Sequence, residues 1–412
     1  MIRSLARVLT RLSAWLAPPP GTPSPGLMAP NRHRGPSTAD LLAELRSTAW
    51  TCASLNAAVC AASPPRLYVV TRRGQPSPRC LTRAVGPGPL HRLRAMPHLE
   101  PFTRGVERIE EVTSHPLLSL LDHVNEQMNS FDLWELTTLA QEVVGCAYWL
   151  LETGPLGVPD RIWPLASHLV TPYRAPDSPH LVDAYVYRAG GREEPFRPDQ
   201  IIAFRYPDPR EPYLAGLSPL RACYDQAKLM SDSTFFRRTR FENHALPDAI
   251  ISPEEAIGED ERQRLETAWN QKLRGNGAGR VLVADSAMRV QILSQSMGDL
   301  AALADQRATR EDICNAFHVP VAFLTTHTNL SNLSAAEQQH ASQAIRPRLR
   351  RRDEKLNEQL VPLFDPTGRL FLAADDPVPG NREQTLKERE VYLRLGVLSV
   401  NEVRSELGLP PV

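Results

Sequence analysis

The residues whose types and spacing suit chemistry best are arginines. The stretch "AIRPRLRRRDEKLNEQL", 344–360, places Arg346, Arg348, Arg350, Arg351 and Arg352 close together, and guanidinium groups grip carboxylates and phosphates through paired hydrogen bonds. At roughly 100° per residue these five surround a helix instead of lining one side of it. A stripe that tracks a nucleic-acid backbone would be one-sided. The arrangement predicts acidic partners from several directions, among them Glu354 one turn after Arg350. The five are candidates for a subunit interface or, alternatively, for phosphate contacts. Pro347 withholds a backbone donor in their midst and predicts a kink.

Other chemically suggestive spacings weaken when their requirements are checked. "GLSPL" (216–220) has Leu220 where a nucleophile elbow needs its second glycine, so Ser218 reads as a helix cap. "GNGAG" (275–279) lacks the lysine and hydroxyl of a phosphate loop and precedes a strand, so it reads as a turn. Cys314 and His318 share a helix face, but no further ligands fall in frame, and both are expected to be ordinary buried residues. Glu254 with Glu255, and Asp375 with Asp376, lie in loop-like sequence and are expected to be solvated. No catalytic constellation emerges, and the reading calls for no metal and no cofactor.

Composition sets the frame for these residues. The 412 residues suffice for two or three domains. The 47 basic and 47 acidic residues cancel, which argues against a protein that grips nucleic acid over its whole surface. Lys228, Lys272, Lys355 and Lys387 are the lysines, and the other basic residues are arginines. Six scattered cysteines without a CxxC pair point to a reducing compartment. The start "MIRSLARVLTRLSAWLAPPPG" reads as a short amphipathic helix rather than a signal peptide, because Arg3, Arg7 and Arg11 interrupt its apolar run. No apolar run reaches the ~20 residues that span a bilayer.

The elements that must hold the arginines follow from periodicity. Proline-rich stretches at 17–36 and 74–102 read as linkers or irregular arms. Between them a helix over "TADLLAELRSTAWTCASLNAAVCAA" leads to the strand "RLYVV". Residues 115–145 read as helical and "CAYWLLE" as a buried strand; "HLVDAYVYRA" and "DQIIAFRY" add β segments. Ser218 and Pro219 then start a helix with no further proline until Pro247. A small unit follows: "DAIIS", the charged helix "EDERQRLETAWNQKL", a glycine-rich loop, and the strands "RVLVAD" and "MRVQIL". Helices over "GDLAALADQRATREDICNAFHV" and from about Asn332 to Val361 come next. "REQTLKEREVYLRL" is a helix stopped by Gly396, and Ser399 with Glu402 forms a capping box for the last one.

In that order, "SLNAAVCAASPPRLYVV", "HPLLSLLDHVNEQMNSFDLWELTTLAQEVVGCAYWLLE", "LAGLSPLRACYDQAKLM", "ICNAFHVPVAFL", "AIRPRLRRRDEKLNEQL" and "LRLGVLSVNEVRSELGLPPV" resemble the HK97-type portal proteins of tailed bacteriophages. The resemblance implies an α+β portal fold with an α/β wing, a long-helix stem, a small α/β clip, a kinked tunnel helix and a helical C-terminal crown. It implies an N-terminal arm over 1–47, wing over 48–216, first stem helix over 217–245, clip over 246–296 and second stem helix over 297–320. Residues 321–380 would hold the tunnel loop, the kinked helix and a return to the wing, with the crown over 381–412. Thr325, Thr326, His327, Thr328, Asn329 and Ser331 would form a tunnel loop facing DNA, offering hydroxyls and amides rather than fixed cations.

The function so implied is structural and non-enzymatic. The chain would form a ring with itself, of twelve subunits in known members, at one capsid vertex. Double-stranded DNA would pass through it in packaging and ejection. Its partners would be the terminase large subunit, the major capsid protein and the head-tail adaptor, with no membrane. It would be assembled in the host bacterial cytoplasm and reside in the virion. The alternatives are a head-morphogenesis enzyme, protease or nuclease, and the portal of a gene-transfer particle.

Overall fold

The computed structural model describes residues 35–74, 80–155, 157–242, 249–253, 258, 263–264, 267, 288–292, 306–325, 330–378 and 382–406. The chain divides into Met1–Ser37, of which Gly35–Ser37 are described and lack regular structure, and Thr38–Val412. The second unit opens with helices α1 (Thr38–Ala43) and α2 (Ser47–Ala61), strands β1 (Pro65–Thr71) and β2 (Leu81–Ala84), and the short helices α3 (Pro87–Ala95) and α4 (Glu100–Thr103). Strand β3 (Arg108–Ser114), helices α5 (Pro116–Asp122) and α6 (Ser130–Val144), and strands β4 (Cys146–Thr153) and β5 (Pro159–Leu165) follow. A hairpin set β6 (Val170–Tyr173), β7 (Ala184–Ala189) and β8 (Arg192–Phe196) precedes β9 (Ile201–Arg205).

Two of the sheets are the reason the β segments read as nearly continuous apolar runs. In β12 (Leu370–Ala374) and β1 of the sheet ordered β12-β1-β3-β2, and in β4 and β9 of the sheet ordered β5-β4-β9, both faces are covered. Side chains alternate between faces along a strand. Ala147, Trp149 and Leu151 of β4 accordingly join Ile202 and Phe204 in one core, while Cys146 and Tyr148 join Ile201 and Ala203 in another. Leu67 and Val69 face the first core with Leu370 and Leu372; Tyr68 and Val70 turn to a third with Phe371 and Ala373. Trp134 and Trp149 meet with ring centroids 5.2 Å apart, and Trp149 Nε1 donates to Thr137 Oγ1 at 2.8 Å. The indole is thus buried with its polar edge satisfied.

Several sequence expectations change in the structure. The stretch 74–102 is not all linker: its prolines start helices, with Pro87 and Pro101 in the first turns of α3 and α4, where a missing N–H costs nothing. The first helix breaks at Glu44–Arg46, because Ser47 takes φ 46°. Residues 115–145 split into α5 and α6, the latter capped by Asn129 and ended by Gly145 at φ 93°. The helix after Ser218 is interrupted at Cys223 into α7 (Pro219–Ala222) and α8 (Tyr224–Glu242). Ser218 does cap it, its Oγ accepting from the Arg221 N–H at 3.0 Å.

Strands β10 (Ala249–Pro253) and β11 (Met288–Ile292) pair antiparallel; most of the expected unit between them lies outside the described residues. Helix α9 (Gln306–Phe317) ends at His318, which sits at φ 58° and is exposed, not buried as its spacing from Cys314 suggested. Its N–H donates to Asn315 O and that of Val319 to Cys314 O, so it occupies the left-handed position that closes a helix. Helix α10 (Leu330–Gln339), a π turn over His340–Ile345 and helix α11 (Arg346–Gln359) then run on without interruption. Helices α12 (Arg382–Arg394) and α13 (Val400–Glu406) follow, and Ser399 and Glu402 exchange the bonds of the expected capping box, at 2.7 and 3.2 Å.

Gly145 and Gly216 cross so closely that a Cβ on either would overlap the other's carbonyl oxygen. This contact joins the α6–β4 turn to the approach of α7, and the Gly145 carbonyl accepts from Tyr206 N at 2.9 Å. Gly145→Ala adds an overlap with fixed backbone to the strain of a left-handed residue and is expected to cost about 3 kcal/mol or more. Gly190→Ala, at φ 57° with open space around it, is expected to cost about 1 kcal/mol. Urea unfolding of the two variants checks the difference.

Candidate functional site

The candidate loop hangs between the end of α9 and the start of α10, so whatever fixes those two ends positions it. Leu324 ends a 3-10 turn over Val321–Leu324, and Thr325 follows in extended conformation. Thr326, His327, Thr328 and Asn329 lie outside the described residues, and Ser331 stands in the first turn of α10.

A buried polar cluster gathers side chains from five segments. Glu142 on α6 is fully buried and accepts from Arg348 Nε at 2.8 Å and Nη2 at 3.0 Å. Asn56 Nδ2 donates to Glu142 Oε2 at 3.1 Å, and the Tyr206 hydroxyl to Oε1 at 2.5 Å. The Phe317 carbonyl, at the end of α9, accepts from Asn56 Nδ2 at 3.0 Å and from Arg348 Nη2 at 3.2 Å. Because both Asn56 amide protons are committed, its Oδ1 must accept, and His340 Nε2 at 2.8 Å therefore carries the proton. The Phe323 ring stands edge-on to His340 with centroids 5.4 Å apart. The end of α9 and the π turn that follows α10 are thereby tied to α2 and α6.

The electrostatics follow from this packing. Burial works against the Arg348 cation, but Tyr206 and Glu142 beside it hold its pKa above the ordinary value. Burial, then the Glu142 charge, pushes the Tyr206 phenol well up, so it remains a donor. Burial, assisted by the Arg348 charge, lowers His340 to about 4, so its ring is neutral at neutral pH.

The arginine run divides by position. Arg348 and Arg352 are corrected as interface or phosphate candidates, because both are turned into the chain's own interior. Arg352 is 6% exposed, pairs with Asp353 at 3.0 Å, donates to Cys60 O and Ser63 O, and lies over Trp134 at 4.7 Å. Arg346 chelates Asp376, which is thus fixed rather than solvated, and Arg350 pairs with Glu354 at 2.9 Å. Arg351 lies 4.9 Å over the Tyr206 ring. Arg346, Arg350 and Arg351 keep part of their surface accessible. Pro347 falls in the first turn of α11, directly after the π turn, and Arg348 Nη1 donates to the Ala344 carbonyl there at 2.8 Å. Among the described residues no group of three histidine, cysteine or acidic side chains could hold a metal ion.

The family model described as phage portal protein matches residues 92–408. The chain belongs to the phage portal protein family. The match spans every segment of the polar cluster except Asn56. Among curated proteins none matches. A chain in the neck of an empty gene transfer agent particle, computed with C6 symmetry, is 20% identical, with a TM-score of 0.59 over 93% of this chain and 98% of that one. A chain in the neck of a native particle of that kind, computed with C12 symmetry, is 18% identical, with a TM-score of 0.57 over 91% and 95%. An HK97-family phage portal protein from Corynebacterium diphtheriae is 14% identical, with a TM-score of 0.50 over 81% and 93%. These likenesses show a shared fold over 81–93% of the chain.

Sequence reasoning named Arg348 without its partner. Glu142 was visible as a carboxylate directly before the apolar run "VVGCAYWLL", but nothing local announced Asn56, Tyr206 or His340. Two measurements follow. Removing one member of a buried pair strands the other, so Arg348→Met or Glu142→Gln is expected to lose about 3–5 kcal/mol, against less than about 1 kcal/mol for Arg350→Ala. Chemical unfolding of the three variants reads this order. For His340, the unfolded chain binds a proton below the ordinary value of 6.5 while the folded chain resists until about 4. Its contribution to stability is complete above pH 6.5 and is lost as pH falls toward 4. His340→Gln is expected to flatten that part of the stability profile, measured by urea titrations across the same range.

Proposed function

We propose that the protein is the subunit of a closed ring at one capsid vertex, through which double-stranded DNA is packaged and later released. The family match over residues 92–408 carries this reading. Two features of the chain support it. Leu386, Leu395, Val397 and Val400 are 61–70% exposed, and Leu229 and Phe235 on α8 are 52% and 66% exposed, an apolar surplus that neighbouring copies would cover. A head-to-tail interface between such copies closes into a ring when its rotation divides the circle, and the enclosed hole is a channel.

In that assembly α2 to β9 with β12 form the wing, α7, α8 and α9 the stem, the β10–β11 pair part of the clip, and α12 and α13 the crown. Thr325 to Ser331 face the DNA, and the polar cluster holds the end of α9 before that segment and the π turn after α10. Arg346, Arg350 and Arg351 remain the arginines able to meet a neighbour or a phosphate. The terminase large subunit, the major capsid protein and a head-tail adaptor are the partners, and the role is structural rather than enzymatic. A second reading, the portal of a gene transfer agent, is favoured by the TM-scores of 0.57 to 0.59 to such particles. Sequencing the packaged DNA separates the two: a single viral genome for a phage, fragments of host chromosome for a gene transfer agent.

Negative-stain imaging and native mass spectrometry of the full chain are expected to show closed rings of about twelve copies, the symmetry of the native neck described above. A protein that stays monomeric at micromolar concentration overturns the proposal. Deleting residues 325–331 is expected to leave ring formation intact and to abolish DNA retention in the particle.

A further inference from the structure

Cys52 on α2 and Cys314 on α9 are separated by 262 positions in sequence, yet their Sγ atoms lie 3.9 Å apart. Both side chains are fully buried. The neighbouring thiols are engaged elsewhere: Cys223 donates to the Leu220 carbonyl, Cys60 faces Thr138, and Cys146 faces Tyr148. One turn further along α2, Asn56 holds the Phe317 carbonyl of α9 at 3.0 Å. The thiol contact and this hydrogen bond are adjacent rungs between the same two helices. The native packing already holds the two sulfurs in register.

The pair is also polarised. The Cys52 thiol donates to the Cys314 sulfur. That bond, with burial, raises Cys52 far above the ordinary thiol value, and the same bond lowers Cys314 below it.

We propose that Cys52 and Cys314 are an oxidisable pair that closes to a disulfide and pins α9 to α2. With a peroxide as oxidant, the Cys314 thiolate attacks one peroxide oxygen, giving a sulfenic acid and releasing hydroxide, which takes up the thiol proton as water. The Cys52 sulfur then attacks the sulfenic sulfur; the S–S bond forms, and the departing hydroxide takes the Cys52 thiol proton as a second water. Two thiols are oxidised by two electrons and one peroxide is reduced. Forming the disulfide closes the sulfurs from 3.9 Å to about 2.05 Å. The reducing cytosol keeps the pair as thiols, and an oxidising exterior closes it. The inference does not depend on the ring reading, since it concerns contacts within one chain.

The test treats the full-length protein with hydrogen peroxide under native conditions, then unfolds it in excess maleimide and maps all six cysteines by mass spectrometry. The expected result is a cross-linked Cys52–Cys314 peptide pair and a rise in thermal midpoint of roughly 5 °C, reversed by dithiothreitol. Cys52→Ala and Cys314→Ala are each expected to abolish both changes. The partly exposed Cys80 is the internal control for oxidant strength. The proposal is overturned if Cys80 is oxidised while Cys52 and Cys314 still take up maleimide. It is equally overturned if either sulfur pairs with Cys223 or stops at a sulfinic acid. The wild-type mapping stands whether or not the alanine variants fold.

Discussion

The fold depends on one buried ion pair, Glu142 with Arg348. Glu142 is fully buried and Arg348 is 10% exposed, so each charge is tolerable only because the other is present and further hydrogen bonds surround the pair. Those bonds recruit Asn56, Tyr206, His340 and the carbonyls of Phe317 and Ala344, and with them the ends of helices far apart in sequence. The geometry of the pair thus dictates how α2, α6, α9 and the π turn meet. Apolar packing alone would let these helices slide, since α2 presents alanines and cysteines, small side chains that specify little. The charges supply the register.

The π turn belongs to the same constraint. Pro347 has no N–H to give, so the helix that carries the arginines cannot keep an unbroken ladder. Widening to π geometry over His340–Ile345 places His340 on the cluster and buries Ala344 and Ile345. Arg348, one residue after the proline, bonds the Ala344 carbonyl with its side chain. The break in the ladder and the buried pair are one arrangement.

Much of the fold was legible in the sequence because it rests on local signals. The Ser218 cap, the Gly396 stop, the Ser399–Glu402 box and the apolar runs of the strands were all readable within a few residues. The portal resemblance came from the order of short segments, and the family match and structural likenesses bear it out. The candidate site was less legible. A helical wheel gives the direction in which an arginine leaves its helix, but not whether a carboxylate waits 206 positions away, as Glu142 does for Arg348. The prolines of 74–102 misled for a related reason: composition marks where a helix cannot continue but not where it can begin.

Helix α11 also closes the open margin of a sheet. Strand β12 pairs with β1 on one side, and the N–H groups of Leu370, Leu372 and Ala374 on the other side bond to Asp365, Asn357 and Asp353. Asn357 returns a second bond to the Leu372 carbonyl. This seal has a consequence for synthesis on the ribosome. The N-terminal sheet lacks its outer strand until Ala374 has been translated, and the seal arrives in the same stretch of chain. A nascent polypeptide cannot finish its first domain early, so an incomplete copy lacks a finished surface to offer a growing assembly.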